Sequence, residues 1–415
     1  MPEQAVTTRP SSTVRLVLRS ALYRRAALSL FFGGLGISIA MPQLSLFLVQ
    51  DLRASLPVAG LFFLTNLAAP ALGFFVGSWS DRLADRLFLF RIGAVVGLIG
   101  WVLMAFTTQV WMAFAINLTV IGFAGATSSL IFAAVRDQLT HVPTGADNRV
   151  MSTVRLGFSL GFMTGPIVGS VVGGMAGLRV TLIAAGVCTL LQAAPMIGQR
   201  VERAVPDLGR QPASAAAGES PRNPSLLPLL TFLGLSVLAM CGDTIKFAYL
   251  PIYLELQLGT PDWLRGVVIS TQSVGMLIFI PIMGVLADRF GAHRLVIVNV
   301  LLGVVANIGF MIAGSELVLI VATLFNAAMW ATLGGIGITV AQDLYPSGIG
   351  LASSLYFSAI RFAAAIGGIV GALGVGWFGV PGVFVVPAAL CGLAAVGLLV
   401  QEILTQRRSR RFQAA

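Results

Sequence analysis

Two charged residues inside an apolar stretch are the most informative side chains of this sequence. Asp243 and Lys246, the only lysine of the chain, lie within the apolar segment 227–255. A spacing of i, i+3 places both side chains on one face of a helix. A charge at membrane depth costs roughly 3 kcal/mol, so such residues face a cavity or a partner. The pair predicts either a carboxyl group that exchanges protons, its pKa modulated by the lysine, or a self-neutralised structural ion pair.

Further polar and aromatic residues occupy positions well inside other apolar segments. Amides and phenols hydrogen-bond sugar hydroxyls, and an indole ring stacks on the apolar face of a sugar. Arg361 can donate a bidentate fork to a hydroxyl-rich or anionic ligand. Interhelical hydrogen bonding is the alternative role for each amide. The candidate substrate-binding residues are Gln43, Asn66, Asn117, Tyr249, Gln272, Asn326, Trp330, Tyr356 and Arg361.

Composition excludes an ordinary soluble enzyme. Of the 415 residues, 57% are hydrophobic and only 10% are charged, against roughly 25% charged residues in a soluble domain. A net charge of +10 would suggest a nucleic-acid partner in a soluble protein. Here the basic residues are almost all arginines between long apolar runs, so we expect membrane topology and no nucleic acid.

The apolar runs predict an all-α membrane protein. A helix that crosses the bilayer needs ~20 mostly apolar residues, and twelve segments meet this requirement. They are 26–49, 57–79, 90–107, 110–135, 150–173, 178–197, 227–255, 263–286, 294–313, 315–341, 350–375 and 378–401.

The distribution of arginines predicts the orientation. With the N-terminus in the cytoplasm, twenty arginines fall in cytoplasmic segments and three, Arg53, Arg179 and Arg265, fall in outer loops. This excess indicates that both termini are cytoplasmic. The polar stretch 198–226 reads as a cytoplasmic linker. It separates a cytoplasmic segment 1–25 and a six-helix bundle 26–197 from a second bundle 227–401 and a cytoplasmic tail 402–415.

The two halves repeat each other. Gly77 to Arg82 corresponds to Gly284 to Arg289 at an offset of 207, and Ser152 to Arg155 corresponds to Ser358 to Arg361 at an offset of 206. Two pseudo-symmetric six-helix halves are typical of transporters whose site lies between the repeats near the midplane.

These repeated motifs carry a family resemblance. The segment from Gly284 to Arg294 resembles the signature Gly-x-x-x-Asp-Arg-x-Gly-x-x-Arg of the major facilitator superfamily. Its first copy has Ala84 in place of the second glycine. The segment 161–169 resembles the Gly-Pro motif of exporters in that superfamily. Residues 245–370 are similar to the bacterial sugar efflux transporters, in particular Gln342-Asp343-Leu344-Tyr345-Pro346.

The resemblance implies a charged cytoplasmic latch at the ends of the second and eighth spans. In the superfamily, an aspartate there faces the N-terminal end of a helix from the other half, and the neighbouring arginines join the same network. Solvated loop charges are the alternative. The candidate gate residues are Asp81, Arg82, Arg86, Asp137, Arg155, Asp288, Arg289, Arg294 and Asp343.

Together these observations predict a secondary transporter of the bacterial cytoplasmic membrane. We expect a monomer that exports a small hydroxylated solute, a sugar or glycoside, by alternating access coupled to protons. The alternative is a proton-driven multidrug exporter of amphiphiles, although Asn117 and Leu118 stand where that group carries an arginine. The sequence has no phosphate-binding loop, so we expect that ATP is not the energy source. The apolar segments contain no paired carboxylates, histidine base or clustered metal ligands, so we expect no enzyme activity, cofactor or metal.

Overall fold

Twelve long apolar helices make up the computed structural model. It describes residues 15, 17–83, 85–142, 144, 146–199, 201 and 226–413, so the predicted linker lies almost wholly outside the described residues. Each helix is long and apolar enough to cross a membrane, which confirms the predicted fold class. In chain order, α1 to α12 are Ala21–Gln50, Leu56–Ser80, Leu87–Ala105, Val110–His141, Arg149–Ala176, Leu178–Met196, Leu227–Gln257, Asp262–Phe290, Ala292–Ile312, Glu316–Leu344, Pro346–Gly382 and Val385–Leu404.

Local irregularities interrupt several of these helices. A 3-10 segment, Phe62–Leu67, lies inside α2. Single π-helical stretches, Asn117–Ile121 and Tyr253–Gln257, lie in α4 and at the end of α7. Near the end of α11, Gly379 adopts a φ of 63°, which favours glycine. Val380 is also non-helical, so regular helix in α11 is interrupted at Gly379 and Val380. The twelfth helix begins at Val385, later than the predicted residue 378.

One helix interruption occurs at equivalent positions of the two sequence repeats, in α4 and in α10. Regular helix in α4 ends at Ser128 and restarts at Leu130. In α10 it ends at Gly335 and restarts at Gly337. The interrupting residues are therefore Ser129 and Ile336, which are 207 residues apart. The offset of 207 also relates Gly77 to Gly284, so the sequence repeat is accompanied by a repeat in helix geometry.

The chain forms two compact units. The first comprises Met1–Gln43 and Ala68–Ala216, and the second comprises Leu44–Leu67 and Ala217–Ala415. The second unit thus takes in residues 44–67, which the sequence assigns to the first bundle. The reason is local: within this unit the Tyr249 hydroxyl donates to the Leu56 carbonyl at 3.2 Å, and the Ser45 hydroxyl donates to the Phe247 carbonyl at 3.3 Å.

Glycines allow the closest helix contacts in each unit. In the first unit, a Cβ atom on Gly161 of α5 would overlap the carbonyl oxygen of Phe31 on α1. In the second unit, a Cβ atom on Gly367 of α11 would overlap the carbonyl oxygen of Cys241 on α7. Small residues let helix backbones approach in bilayers. Gly161 of the Gly-Pro motif therefore packs α5 against α1, and Gly367 packs α11 against α7.

Candidate substrate and proton site

The charged pair of α7 forms a three-residue cluster in the second unit. Lys246 Nζ donates to Asp243 Oδ1 at 2.7 Å. Gln272 on α8 donates from Nε2 to the same oxygen at 3.0 Å. Of the residues predicted to bind substrate or exchange protons, these three are joined by direct hydrogen bonds. The pairing of Asp243 with Lys246 follows the predicted i, i+3 geometry.

The two charges of this cluster differ in exposure. The side chain of Lys246 is 3% exposed, whereas that of Asp243 retains 20% exposure. The ammonium also lies 4.5 Å from the centroid of the Phe247 ring, which provides a weak cation–π partner. Removing one partner from a buried ion pair leaves the other charge uncompensated. The buried ammonium therefore depends on the charge of the more accessible carboxylate.

Three buried polar atoms on α8 and α10 lack a hydrogen-bond partner among the described residues. They are Gln272 Oε1 on α8 and, one turn apart on α10, Asn326 Nδ2 and Trp330 Nε1. Gln272 and Asn326 are 6% and 3% exposed. A buried polar atom without a partner costs about 1–3 kcal/mol. One acceptor on α8 and two donors on α10 are thus without a bond inside the described part of the protein.

The two tyrosines predicted to bind substrate already donate hydrogen bonds to backbone carbonyls of the protein. Tyr249 is fully buried and bonds Leu56, as described above. Tyr356 is 1% exposed, donates to the Leu333 carbonyl, and stacks on Phe232 with ring centroids 6.3 Å apart. These contacts favour a structural role for both hydroxyl groups, and their predicted role in substrate binding stays a prediction.

Four further candidates lie on other helices of the two units. Asn66 is half-buried in the 3-10 segment of α2, and Arg361 is exposed on α11. In the first unit, Gln43 is 1% exposed and donates from Nε2 to the Ser170 hydroxyl at 3.1 Å. Asn117 is half-buried at the start of the π-helical stretch of α4.

Part of the predicted gate lies around a pocket of about 370 Å³ in the second unit. Its lining includes His293, Arg294, Asp343 and Glu402. Arg294 donates from Nε to Glu402 Oε1 at 2.8 Å. The pocket brings two predicted gate residues, Arg294 and Asp343, to one place. Glu402, which lies near the end of α12, was not identified from the sequence. In that region only the arginines were used, as evidence for the orientation.

The other gate candidates occupy helix ends. Exposed side chains belong to Asp81 and Arg82 after α2, Asp288 and Arg289 at the end of α8, and Arg155 on α5. Asp137 in α4 is half-buried, and the side chain of Arg86 lies outside the described residues. These positions are compatible with the motif, and the predicted latch stays a prediction.

A second charged group was not anticipated. Arg265, which the sequence places in an outer loop, lies in the first turn of α8 and is 5% exposed. Its guanidinium contacts the carboxylates of Glu255 and Asp262. The signal in the sequence was Glu255 close to the end of an apolar segment, ten residues before an arginine. Asn299 and Asn307 on α9 are also buried, and each amide bonds a carbonyl of its own helix.

The sequence is similar to those of several bacterial proteins named as sugar efflux transporters. It is 26% identical over 342 residues to sugar efflux transporter B of Salmonella typhimurium, covering 81% of this chain and 85% of that protein. It is 25% identical to sugar efflux transporter A of Dickeya chrysanthemi, covering 90% and 94%. It is 23% identical to sugar efflux transporter C of Escherichia coli, covering 95% and 98%. The resemblance seen in residues 245–370 therefore extends over most of the chain.

Solved structures show the same fold. The nucleoside transporter NupG superposes with a TM-score of 0.75 at 14% identity, covering 92% of this chain and 99% of that one. The peptide transporter POT superposes with a TM-score of 0.74 at 13% identity, covering 97% and 99%. The proteins that this chain matches are membrane transporters, which agrees with the prediction that it is no enzyme.

The profile of the Major Facilitator Superfamily matches residues 26–267 and 232–414, which together span both six-helix halves. The chain is a multi-pass membrane protein that belongs to the major facilitator superfamily.

Proposed function

We propose that this protein exports a sugar or glycoside across the bacterial cytoplasmic membrane. The names of the relatives from Salmonella typhimurium, Dickeya chrysanthemi and Escherichia coli support efflux of sugars. The unsatisfied polar atoms of Gln272, Asn326 and Trp330 support a ligand with several hydroxyls, because a hydroxyl group both donates and accepts hydrogen bonds. The indole ring of Trp330 offers a surface on which a pyranose ring stacks.

The single observation that carries the proposed coupling to protons is the Asp243 cluster. Asp243 is the accessible member of a pair whose lysine is buried. When a proton neutralises the carboxylate, the ammonium loses its counter-charge in a low-dielectric environment. The lysine must then release its own proton or find another partner, so α7 and its contact with Gln272 rearrange. Protonation and substrate release are thereby linked at one place.

Gln43 and Asn117 of the first unit, with Asn66 and Arg361, complete the proposed substrate path. We assign Tyr249 and Tyr356 a supporting role, because their hydroxyls already bond backbone carbonyls. Alternating access exposes this path to one side of the membrane at a time. The motif residues Asp81, Asp288 and their arginine neighbours form the cytoplasmic latch, and both termini lie in the cytoplasm. The transporter works as a monomer.

A thermal-shift screen tests the substrate class. The purified protein is heated with sugars, glycosides and cationic amphiphilic drugs at two pH values. A ligand that binds the folded state stabilises it by about 2.7 kcal/mol at a hundred times its Kd. We expect sugars or glycosides to raise the melting temperature, and the effect to weaken in Asn326→Ala. Stabilisation by cationic drugs alone would favour the multidrug alternative and overturn the proposal.

A further inference from the structure

The group of Gln50, Glu255, Asp262 and Arg265, here named the Glu255 cluster, has no part in the proposed substrate path. Arg265 is 5% exposed, and its guanidinium contacts the carboxylates of Glu255 and Asp262. Its Nε atom has no hydrogen-bond partner among the described residues. Because an almost fully buried guanidinium needs these carboxylates, the position of Glu255 is closely constrained.

The second oxygen of Glu255 binds a different helix. Gln50, the last residue of α1, donates from Nε2 to Glu255 Oε1 at 2.7 Å. One carboxylate therefore joins the end of α1 to the π-helical end of α7 and, through Arg265, to the first turn of α8. All of these residues belong to the second compact unit. Two further bonds between residues 44–67 and α7 are longer and neutral, at 3.2 and 3.3 Å. A bond to a charged carboxylate is about twice as strong as a neutral bond.

We infer that Glu255, oriented by Arg265, is a positioning residue that keeps the ends of α1 and α7 together. The bond between Gln50 and Glu255 has to break each time these ends part on the outer face of the membrane. The inference rests on the proposed alternating access and orientation. A purely structural ion pair that fixes the turn between α7 and α8 is the competing role. The two roles differ at Gln50, which is exposed and does not contact Arg265 in the described residues.

Cysteine labelling measures how often the ends part. Ser45 is 1% exposed next to Phe247, so Ser45→Cys, in a Cys188→Ser background, reacts with a membrane-impermeant maleimide only when this contact opens. We expect Gln50→Ala to accelerate labelling about threefold to tenfold, since a partly exposed bond to a charged group is lost. Gln50→Lys, which places an ammonium beside Glu255, slows labelling below the parent rate. Damage to folding cannot produce this decrease.

A carboxylate at the same end of the unit provides the matched control. Glu316 on α10 accepts a bond from Thr260 at 3.1 Å rather than from α1, so Glu316→Gln leaves the labelling rate unchanged. Glu255→Gln accelerates labelling, and if this variant does not fold, the two Gln50 variants decide. Equal rates in the parent, Gln50→Ala and Gln50→Lys would overturn the inference, as would equal acceleration by both. Labelling needs no substrate, so this result can be read even if sugar export proves wrong.

Discussion

At the scale of single residues, the site depends on one buried charge. Lys246 is nearly inaccessible and has the Asp243 carboxylate as its counter-charge. The sequence already indicated this pair, because two charges three residues apart within an apolar segment lie on one helix face. It did not indicate Gln272 as the third member, since the packing of α8 on α7 decides which amide reaches the carboxylate.

Neutralising one member of the pair tests this dependence. We expect Asp243→Asn to destabilise the protein by roughly 3 kcal/mol, the lower end of the range for breaking a buried pair, because Asp243 is partly exposed. The double variant Asp243→Asn, Lys246→Met recovers most of this loss, since no unpaired charge remains. Thermal unfolding in detergent measures both. A double variant as unstable as the single one would show that the pair is not the cause.

At the scale of helices, the number and approximate positions of the spans follow from hydropathy, whereas the contacts between the helices do not. The twelve spans were predictable because ~20 apolar residues are needed to cross the bilayer. The burial of Arg265 was not, since a positively charged residue near a span end resembles an ordinary loop arginine. Likewise, the engagement of the Tyr249 and Tyr356 hydroxyls depends on tertiary contacts that no local pattern encodes.

The glycines of α5 provide a test at this scale. Gly161→Leu places a side chain against the Phe31 carbonyl, and overpacking of this kind costs about 1–3 kcal/mol. We expect a lower melting temperature. Gly234→Leu on α7 is the control, because no atom lies within 4 Å of a Cβ atom built there. Equal melting temperatures for the two variants would contradict the close contact between α1 and α5.

At the scale of the whole molecule, the excess of arginines in alternate connections predicts the orientation. Ser55, in the connection after α1, and Ser347, in the 3-10 first turn of α11, are both exposed. We expect Ser55→Cys to react with an impermeant maleimide from outside intact cells, because its connection is extracytoplasmic. We expect Ser347→Cys to react only after the cells are opened. The reverse labelling pattern would show the opposite orientation, with the motif residues of the latch on the outer face of the membrane.

The central claim is sugar export driven through Asp243, and transport in inside-out membrane vesicles tests it most directly. We expect a pH gradient, acidic inside the vesicles, to drive accumulation of a sugar or glycoside that stabilises the protein. Glu316→Gln keeps this accumulation. Asp243→Asn, or the double variant with Lys246→Met if the single one is unstable, still binds the ligand but loses the accumulation. Unchanged pH-driven accumulation in the Asp243 variants would contradict the account.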